Sequence, residues 1–186
     1  MTADFSFKKQ KIVHEWVAWS LMQAEFFDPN GDTFTRTYVN SPGAVGVVAM
    51  IGDVSERNVL LVRQYRPAFQ KQTLEIPAGM RDKDGEDPQV TAQRELEEET
   101  GFFAESLIFI GSHEPAPGIS NSLVDLFLAV DLVKTKVDRH GPEEQFMTVE
   151  THSFAKSLEM IKTGEITDGK TVIGLLSVAA NFSQYL

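Results

Sequence analysis

Two near-continuous apolar runs, Ala44–Ile51 and residues 59–62, constrain the fold more than any other part of the chain. Neither run alternates with polar residues, so neither can present one face to water. Runs of this kind, four to eight residues long and bounded by turn signals, are typical of strands that are buried on both faces. The two runs therefore predict buried strands of a mixed sheet, with a turn at residues 52–58 between them.

Further strands are predicted where β-branched and aromatic residues lie between turn signals; they cover residues 12–22, 34–40, 107–111 and 123–132. A polar turn at 28–32 joins the first two into a hairpin-like unit. We assign residues 1–41 to this N-terminal β unit and residues 42–186 to the main domain. A hairpin of about 40 residues is too small to be stable alone, so we expect it to pack on the main domain or on a second subunit.

Residues 88–100 are predicted to form a helix with well-marked ends. Asp87 precedes it as the N-cap, Pro88 occupies the first helical position and Gly101 follows the last turn. Two more helices are predicted, over residues 154–162 and 171–182. Helices and buried strands together indicate a mixed α/β chain.

Three carboxylates lie on one face of the first helix, because Glu95, Glu98 and Glu99 are spaced i, i+3 and i+4. Like charges at that spacing destabilise a helix by roughly 0.2–0.5 kcal/mol per pair, so a positive partner is expected against them. Oxygen ligands of this kind suit Mg²⁺ or Mn²⁺. A solvated acidic face is the alternative interpretation, and the flanking residues decide between the two.

The composition limits the partners. A net charge of −10 argues against nonspecific binding to nucleic acid or to an anionic membrane, so an anionic substrate must be met by local cations or by bound metal. The absence of cysteine excludes a disulfide framework and a thiol nucleophile, and it fits a reducing compartment. The cytoplasm is therefore the expected location. No run approaches the roughly 18 apolar residues that a membrane span needs, so we expect a soluble protein.

The residues around the helix resemble the Nudix box. Gly79 and Glu86 are followed by the string Arg94-Glu95-Leu96-Glu97-Glu98-Glu99-Thr100-Gly101-Phe102. The seven residues between Glu86 and Arg94, and every fixed position of the string, match the usual form of the box. Six residues, instead of the usual five, separate Gly79 from Glu86. The extra residue lies in the loop before the helix, where it moves Glu86 little if the helix keeps its register.

This resemblance implies the α/β/α sandwich of the Nudix family, built on a mixed β-sheet. It implies Glu95 and Glu99 as metal ligands, Glu98 as a ligand or close neighbour, and the backbone carbonyl of Ala78 as a further ligand. Arg94 would orient the carboxylates through charge-assisted hydrogen bonds. The bound ions are expected to be Mg²⁺, with Mn²⁺ as the alternative and two or more per site, and they would activate a water to attack phosphorus. Glu86 could instead be a capping residue.

Two further features are similar to the ADP-ribose pyrophosphatase branch. Pro117 follows Gly101 by sixteen positions, as in that branch, although an ordinary Pro-Gly turn would look the same. The run Arg63-Gln64-Tyr65-Arg66-Pro67, followed by Leu74-Glu75-Ile76-Pro77-Ala78-Gly79, is similar to the strand and loop before the box. The similarity implies Arg66 at the diphosphate and Glu75 at the terminal ribose or at a metal-bound water, with Arg63 as a third substrate-binding candidate. Arg66 as a plain surface residue is the alternative.

The resemblance runs from about residue 34 to residue 176 and implies a homodimer. In this branch the N-terminal β unit commonly swaps between subunits and supplies aromatic residues that stack on the base. Trp19 is the candidate we retain for stacking, among the four aromatics of the unit that could do so: Trp16, Trp19, Phe26 and Phe27. Buried packing is the alternative role for any of them.

The catalytic base is the weakest part of the match. Relatives supply it from an acidic loop, which here contains Glu143, Glu144 and Gln145. Glu143 matches one family acid, and the second position falls on Gln145 unless the register shifts to Glu144. Either carboxylate could deprotonate water, because a base must first lie within hydrogen-bond distance of the water, and only then does its pKa matter. We predict Glu144 as the base, then Glu143, with Glu98 completing the catalytic set.

The function implied is magnesium-dependent hydrolysis of the pyrophosphate bond of nucleoside diphosphate sugars. ADP-ribose is the first candidate substrate, giving AMP and ribose 5-phosphate. The alternative is a non-catalytic module that senses a nucleotide sugar. The four histidines are scattered without ligand spacing, and no P-loop, dinucleotide fingerprint or serine-hydrolase elbow is present.

Overall fold

A computed structural model of the chain describes residues 4–52, 57–137 and 145–186. They divide into two units. One contains Met1–Gly43 with Glu114–Leu123, and the other contains Ala44–His113 with Val124–Leu186.

The N-terminal unit is built on an antiparallel three-stranded sheet in the order β1 (Ser6–Glu15), β2 (Ser20–Phe27) and β3 (Thr33–Asn40). The predicted single strand over 12–22 is wrong, because the chain reverses where the Trp16 N–H donates to the Trp19 carbonyl at 2.7 Å. Every residue of β1 is exposed, so its sequence carries no burial pattern from which the strand could be recognised. The predicted 28–32 turn is confirmed, with the Asp28 carboxylate accepting the backbone N–H of Asp32.

The segment Glu114–Leu123 pairs with the end of β3. Val39 donates its N–H to the carbonyl of Ile119 at 2.8 Å and accepts the Ser120 hydroxyl at 3.0 Å. The side-chain amide of Asn121 donates to Asn40 at 2.7 Å. These contacts place the neighbouring Pro117 in the N-terminal unit.

The main unit is built on a seven-stranded mixed sheet. Its strands are β4 (Ala44–Ile51), β5 (Asn58–Arg66), β6 (Lys71–Glu75), β7 (Ala78–Met80), β8 (Phe102–His113), β9 (Val124–Lys134) and β10 (Thr148–Ser153). The order is β10-β5-β4-β9-β8, with β6 paired to β5 and β7 paired to β4. Strands β4 and β9 are parallel, whereas the other strand pairs described in this sheet are antiparallel.

Helices cover both faces of this sheet: α1 (Pro88–Thr100), α2 (Phe154–Thr163) and α3 (Gly169–Asn181). Alternate residues of β4 enter two separate cores. Val47 packs with Leu96 of α1, whereas Val48 packs with Met160 of α2 and Leu175 of α3. Each such fully buried aliphatic side chain contributes about 1.5–3 kcal/mol, which explains why β4 is apolar throughout. The predicted α/β/α sandwich with a mixed sheet is confirmed.

Among the described residues, no helix has the length and apolar character needed to cross a membrane.

Candidate active site

The ends of α1 are set by local signals. The Asp87 carboxylate accepts the backbone N–H of Gln89 at 2.8 Å, and Pro88 opens the first turn. At the other end Gly101 adopts φ +75°, and its N–H donates to the carbonyl of Glu97 at 2.9 Å. The predicted caps are confirmed. Because Leu96 is buried against the sheet, the register of the helix and of its carboxylates is determined.

Arg94 lies at the centre of an acidic group that we call the box cluster, and its guanidinium contacts four carboxylates. They are Glu95 Oε1 at 2.7 Å, Glu98 Oε2 at 3.2 Å, Glu86 Oε2 at 3.4 Å and Asp82 Oδ1 at 3.5 Å. Burial lowers the pKa of Arg94, but the charges of Glu95 and Glu98 outweigh this effect and the pKa is raised. One guanidinium therefore serves four carboxylates.

Glu86 is held by this cluster, and the N-cap of α1 is Asp87. The Thr91 hydroxyl donates to Glu86 at 2.8 Å. This hydrogen bond and the positive charge of Arg94 lower the pKa of Glu86.

The backbone at Ala78 and Gly79 meets the acidic face of α1. The Ala78 N–H donates to Glu99 Oε2 at 3.0 Å, and Glu99 is only 4% exposed. A Cβ at Gly79 would lie 1.9 Å from the carboxyl carbon of Glu95, so only glycine allows that carboxylate to approach. The predicted ligand residues Glu95, Glu99 and Ala78 are therefore gathered at one place.

The carboxylates of this region are suitable ligands for a hard divalent cation. Carboxylate oxygens outnumber cationic groups, and oxygen is the donor that Mg²⁺ and Mn²⁺ prefer. Within the described ranges, no three acidic or histidine side chains already converge in the arrangement of a bound ion. Glu95 and Glu98 are instead turned to Arg94, and Glu99 to the Ala78 N–H.

A second charged group, which we call the Glu75 cluster, surrounds the buried carboxylate of Glu75. Arg66 binds it through two hydrogen bonds, from Nε at 2.8 Å and from Nη2 at 2.7 Å. The Thr73 hydroxyl donates to it at 2.6 Å, and the ammonium of Lys170 contacts both Glu75 and Asp168. Burial raises the pKa of Glu75, but Arg66 and Lys170 outweigh burial and bring it to about 2.

A cavity of about 390 Å³ opens beside this cluster, and Arg66 and Glu75 are among its walls. The other lining residues are Phe69, Lys71, Thr73, Thr167, Asp168 and Gly169. The structure thus places two of the predicted substrate-binding residues, Arg66 and Glu75, together at the wall of a cavity.

Arg63 is engaged elsewhere. Its guanidinium donates to Glu150 on β10 at 2.5 and 3.2 Å, and Glu150 also contacts His152 at 2.9 Å. Hydrogen bonds from Arg63 lower the pKa of Glu150. The structure therefore places Arg63 with Glu150, and its predicted contact with substrate stays a prediction.

Pro117 and Trp19 both lie in the N-terminal unit. Pro117 lines a groove of about 460 Å³ together with Phe34, Arg36 and Tyr38. The Arg36 guanidinium lies 4.9 Å from the centre of the Phe34 ring. Trp19, in the turn between β1 and β2, is 48% exposed.

Two predicted residues, Glu143 and Glu144, lie outside the described residues. Three residues near Glu75 were not predicted from the sequence: Lys170 and Asp168, which belong to its cluster, and Thr171, which binds the N–H of the next residue, Ile76. One signal could have suggested a role for Lys170: it is the only charged residue of α3, and it lies two positions after the N-cap Asp168.

Most of the chain matches the model of one protein family. The NUDIX domain model matches residues 41–170. The chain belongs to the NUDIX family. The predicted affiliation is confirmed, and the box cluster lies within the matched region of this NUDIX protein.

Known proteins resemble the chain over most of its length. A methanol dehydrogenase activator of Bacillus methanolicus is 40% identical over 79% of this chain and 77% of the relative. An ADP-ribose pyrophosphatase of Bacillus subtilis is 36% identical over the same shares. The solved structure of an ADP compounds hydrolase has a TM-score of 0.81 and covers 96% of this chain and 94% of its own. At 21% identity, that structure supports the fold alone.

Proposed function

We propose that this NUDIX protein hydrolyses the pyrophosphate bond of nucleoside diphosphate sugars, with ADP-ribose as its first substrate. The products would be AMP and ribose 5-phosphate. The observation that carries the proposal is the complete box cluster beside Glu99 and Ala78, in which the acidic groups outnumber the cations that contact them. The ADP-ribose pyrophosphatase from B. subtilis supports the choice of substrate.

NUDIX hydrolases generally use divalent metal ions, and for this protein we propose Mg²⁺, with Mn²⁺ able to replace it and two or more ions per site. The carboxylates of Glu95, Glu98 and Glu99 and the carbonyl of Ala78 would hold the metal. Bound metal neutralises a diphosphate and lowers the pKa of a water molecule. Arg94 would keep Glu95 and Glu98 in position, as its contacts with both carboxylates suggest.

We propose that Arg66 binds the diphosphate and that Glu75 contacts the terminal ribose or a metal-bound water. Arg66 presents a guanidinium at a cavity, and its paired N–H groups suit phosphate oxygens. The binding roles of Arg63, Pro117 and Trp19 stay predictions. For Pro117 the supporting observation is the groove that it shares with aromatic residues, a surface suited to a nucleobase.

For the base we propose Glu144, then Glu143, with Glu98 completing the catalytic set. Parallel Glu143→Gln and Glu144→Gln variants would identify it, because only the base should lose turnover and keep substrate affinity. We also propose a cytoplasmic homodimer. The large apolar residues on exposed β1, including Phe7 and Ile12, support dimerisation.

The test is a panel of ADP-ribose, GDP-mannose and ADP-glucose incubated with pure protein and Mg²⁺, with the products separated by chromatography. We expect fastest release of AMP and ribose 5-phosphate from ADP-ribose, and no release when EDTA is present. A sensing module would bind a nucleotide sugar without cleaving it. Binding without product would therefore overturn the hydrolase and leave sensing as the function.

A further inference from the structure

The two cations that neutralise Glu75 differ sharply in their access to solvent. The Arg66 side chain is 41% exposed, whereas the side chains of Lys170 and Glu75 are 13% and 2% exposed. Arg66 can therefore reach a ligand in the neighbouring cavity, while Lys170 remains behind Glu75. The two cations are suited to different tasks.

The position of Lys170 is determined by the start of α3. Asp168 caps this helix by accepting the Thr171 N–H at 3.0 Å and the Thr171 hydroxyl at 2.6 Å. The same carboxylate lies 3.0 Å from the Lys170 ammonium. Thr171, which is fully buried, also accepts the Ile76 N–H at 2.9 Å. The helix start thus holds both Glu75 and the residue that follows it.

Release of Arg66 would be costly without a second cation. A charge that is buried and loses its partner is strongly destabilised, whereas one that keeps a close opposite charge is not. If Arg66 moves to a phosphate, Glu75 retains the Thr73 hydroxyl and the Lys170 ammonium. Glu75 then keeps one close cation, which it shares with Asp168, and is not left as an unpaired buried charge.

We propose that Lys170 is a positioning residue: it holds the Glu75 carboxylate in place, so that Arg66 can transfer from Glu75 to the diphosphate of the substrate. This inference rests on the proposed function, since it assumes that a diphosphate is the ligand of Arg66. It assigns to the start of α3 a part in substrate binding, without contact between Lys170 and the substrate.

The same segment continues to the box cluster. After Glu75 and Ile76, the Pro77 carbonyl accepts the Val47 N–H at 2.9 Å, and the Ala78 N–H donates to Glu99. The hydrogen bond to Val47 anchors the segment on β4, between the two clusters. Loss of Lys170 should therefore act on substrate affinity far more than on the catalytic step.

The test compares Lys170→Met with Lys170→Arg and with Lys162→Met, an exposed lysine paired with Glu159 on α2. ADP-ribose binding is measured by calorimetry with EDTA, and KM and kcat are measured with Mg²⁺. For Lys170→Met we expect affinity to fall and KM to rise by about tenfold, with kcat within about threefold of wild type. Lys170→Arg should keep most of the affinity, and Lys162→Met should match wild type.

A double-mutant cycle separates positioning from a general effect on folding. In Glu75→Gln the neutral amide no longer holds Arg66, so adding Lys170→Met should change affinity by less than about twofold. A tenfold loss in both backgrounds would overturn the proposal, because Lys170 would then act on the fold or on the substrate directly. Equal affinity of wild type and Lys170→Met would overturn it as well.

The binding measurements also separate this proposal from the proposed function. Wild-type protein that binds ADP-ribose but releases no product would remove the hydrolase and leave the affinity comparison standing. Product release together with unchanged affinity in Lys170→Met would remove the positioning role alone. ADP-ribose that is neither bound nor cleaved would overturn both.

Discussion

The box cluster and the Glu75 cluster are built from the same side-chain types in opposite proportions. In the first, Arg94 contacts four carboxylates, and Lys83 adds a looser contact with one of them, Glu86, at 3.8 Å. In the second, Arg66 and Lys170 share two carboxylates, Glu75 and Asp168. An acidic excess can be relieved by an added cation, whereas a balanced group can bind an anion only by releasing one of its own cations. The first arrangement suits a metal site and the second suits a switchable contact with phosphate.

The largest effect on activity should come from Glu99→Gln. This substitution removes one buried charge beside Ala78 and keeps the shape of the side chain. We expect kcat to fall by about 1,000-fold, because a metal ligand supplies several kcal/mol of transition-state stabilisation. Glu97→Gln on the same helix is the matched control. Steady-state assays and circular dichroism measure activity and fold together, and near-normal turnover would remove Glu99 from the metal site.

The Glu75 cluster should make the free energy of unfolding depend on pH. Arg66 and Lys170 bring the pKa of Glu75 to about 2 in the folded state, against 4.5 for the free side chain, so protons bind the unfolded chain first as the pH falls. This contribution, about 3 kcal/mol, is present above pH 5 and is lost between about pH 5 and pH 2.

Urea unfolding of wild type and Glu75→Gln at pH 7, 4 and 3 measures this contribution. The difference between the two proteins should shrink as the pH falls. Glu159→Gln is the control, since its exposed pair with Lys162 is screened by solvent. A difference that is constant from pH 7 to pH 3 would show that Glu75 is not held by its cations.

Gly79→Ala should damage the box cluster without touching its charges. The new Cβ would lie 1.9 Å from the carboxyl carbon of Glu95 and must displace it. We expect activity to fall by about 10- to 100-fold and the Mg²⁺ requirement to rise. Gly85→Ala is the contrast: its φ of +75° makes a side chain strained, but no atom lies within 4 Å of the added Cβ. It should lose stability and keep its Mg²⁺ dependence.

The smallest of these effects should come from Arg66→Ala, which removes the exposed cation of the Glu75 cluster. We expect KM for ADP-ribose to rise by about tenfold, since a charge-assisted contact with phosphate is lost. Arg63→Ala, measured in the same assay, tests the predicted role of Arg63. An equal rise in both variants would place Arg63 at the substrate despite its contact with Glu150.

The parts of the molecule that were predictable from sequence depend on local signals. The ends of α1 follow from Asp87, Pro88 and Gly101, whose roles need only a few neighbouring residues. The buried strand β4 follows from an apolar run that both cores require. By contrast, exposed β1 has no burial pattern, and its pairing with β2 alone makes it a strand.

The Glu75 cluster was only half predictable. Arg66 and Glu75 are nine residues apart on paired strands. The motifs around them resemble those of a known family, and this was sufficient to predict both as substrate-binding residues. Lys170 reaches Glu75 across 95 residues of sequence, through the packing of α3 on the sheet. No periodicity or motif spacing in one sequence encodes such a contact. The same holds for the segment Glu114–Leu123, which pairs with β3 far from it in the chain.

The central claim, that the box cluster takes a cation and the Glu75 cluster takes an anion, can be tested in one experiment. Mn²⁺ binding by electron paramagnetic resonance and ADP-ribose binding in EDTA would be measured on wild type, Glu99→Gln and Arg66→Ala. Glu99→Gln should lose Mn²⁺ affinity and keep ADP-ribose affinity, and Arg66→Ala should show the reverse. Unchanged Mn²⁺ affinity in Glu99→Gln, or unchanged ADP-ribose affinity in Arg66→Ala, would contradict the assignment.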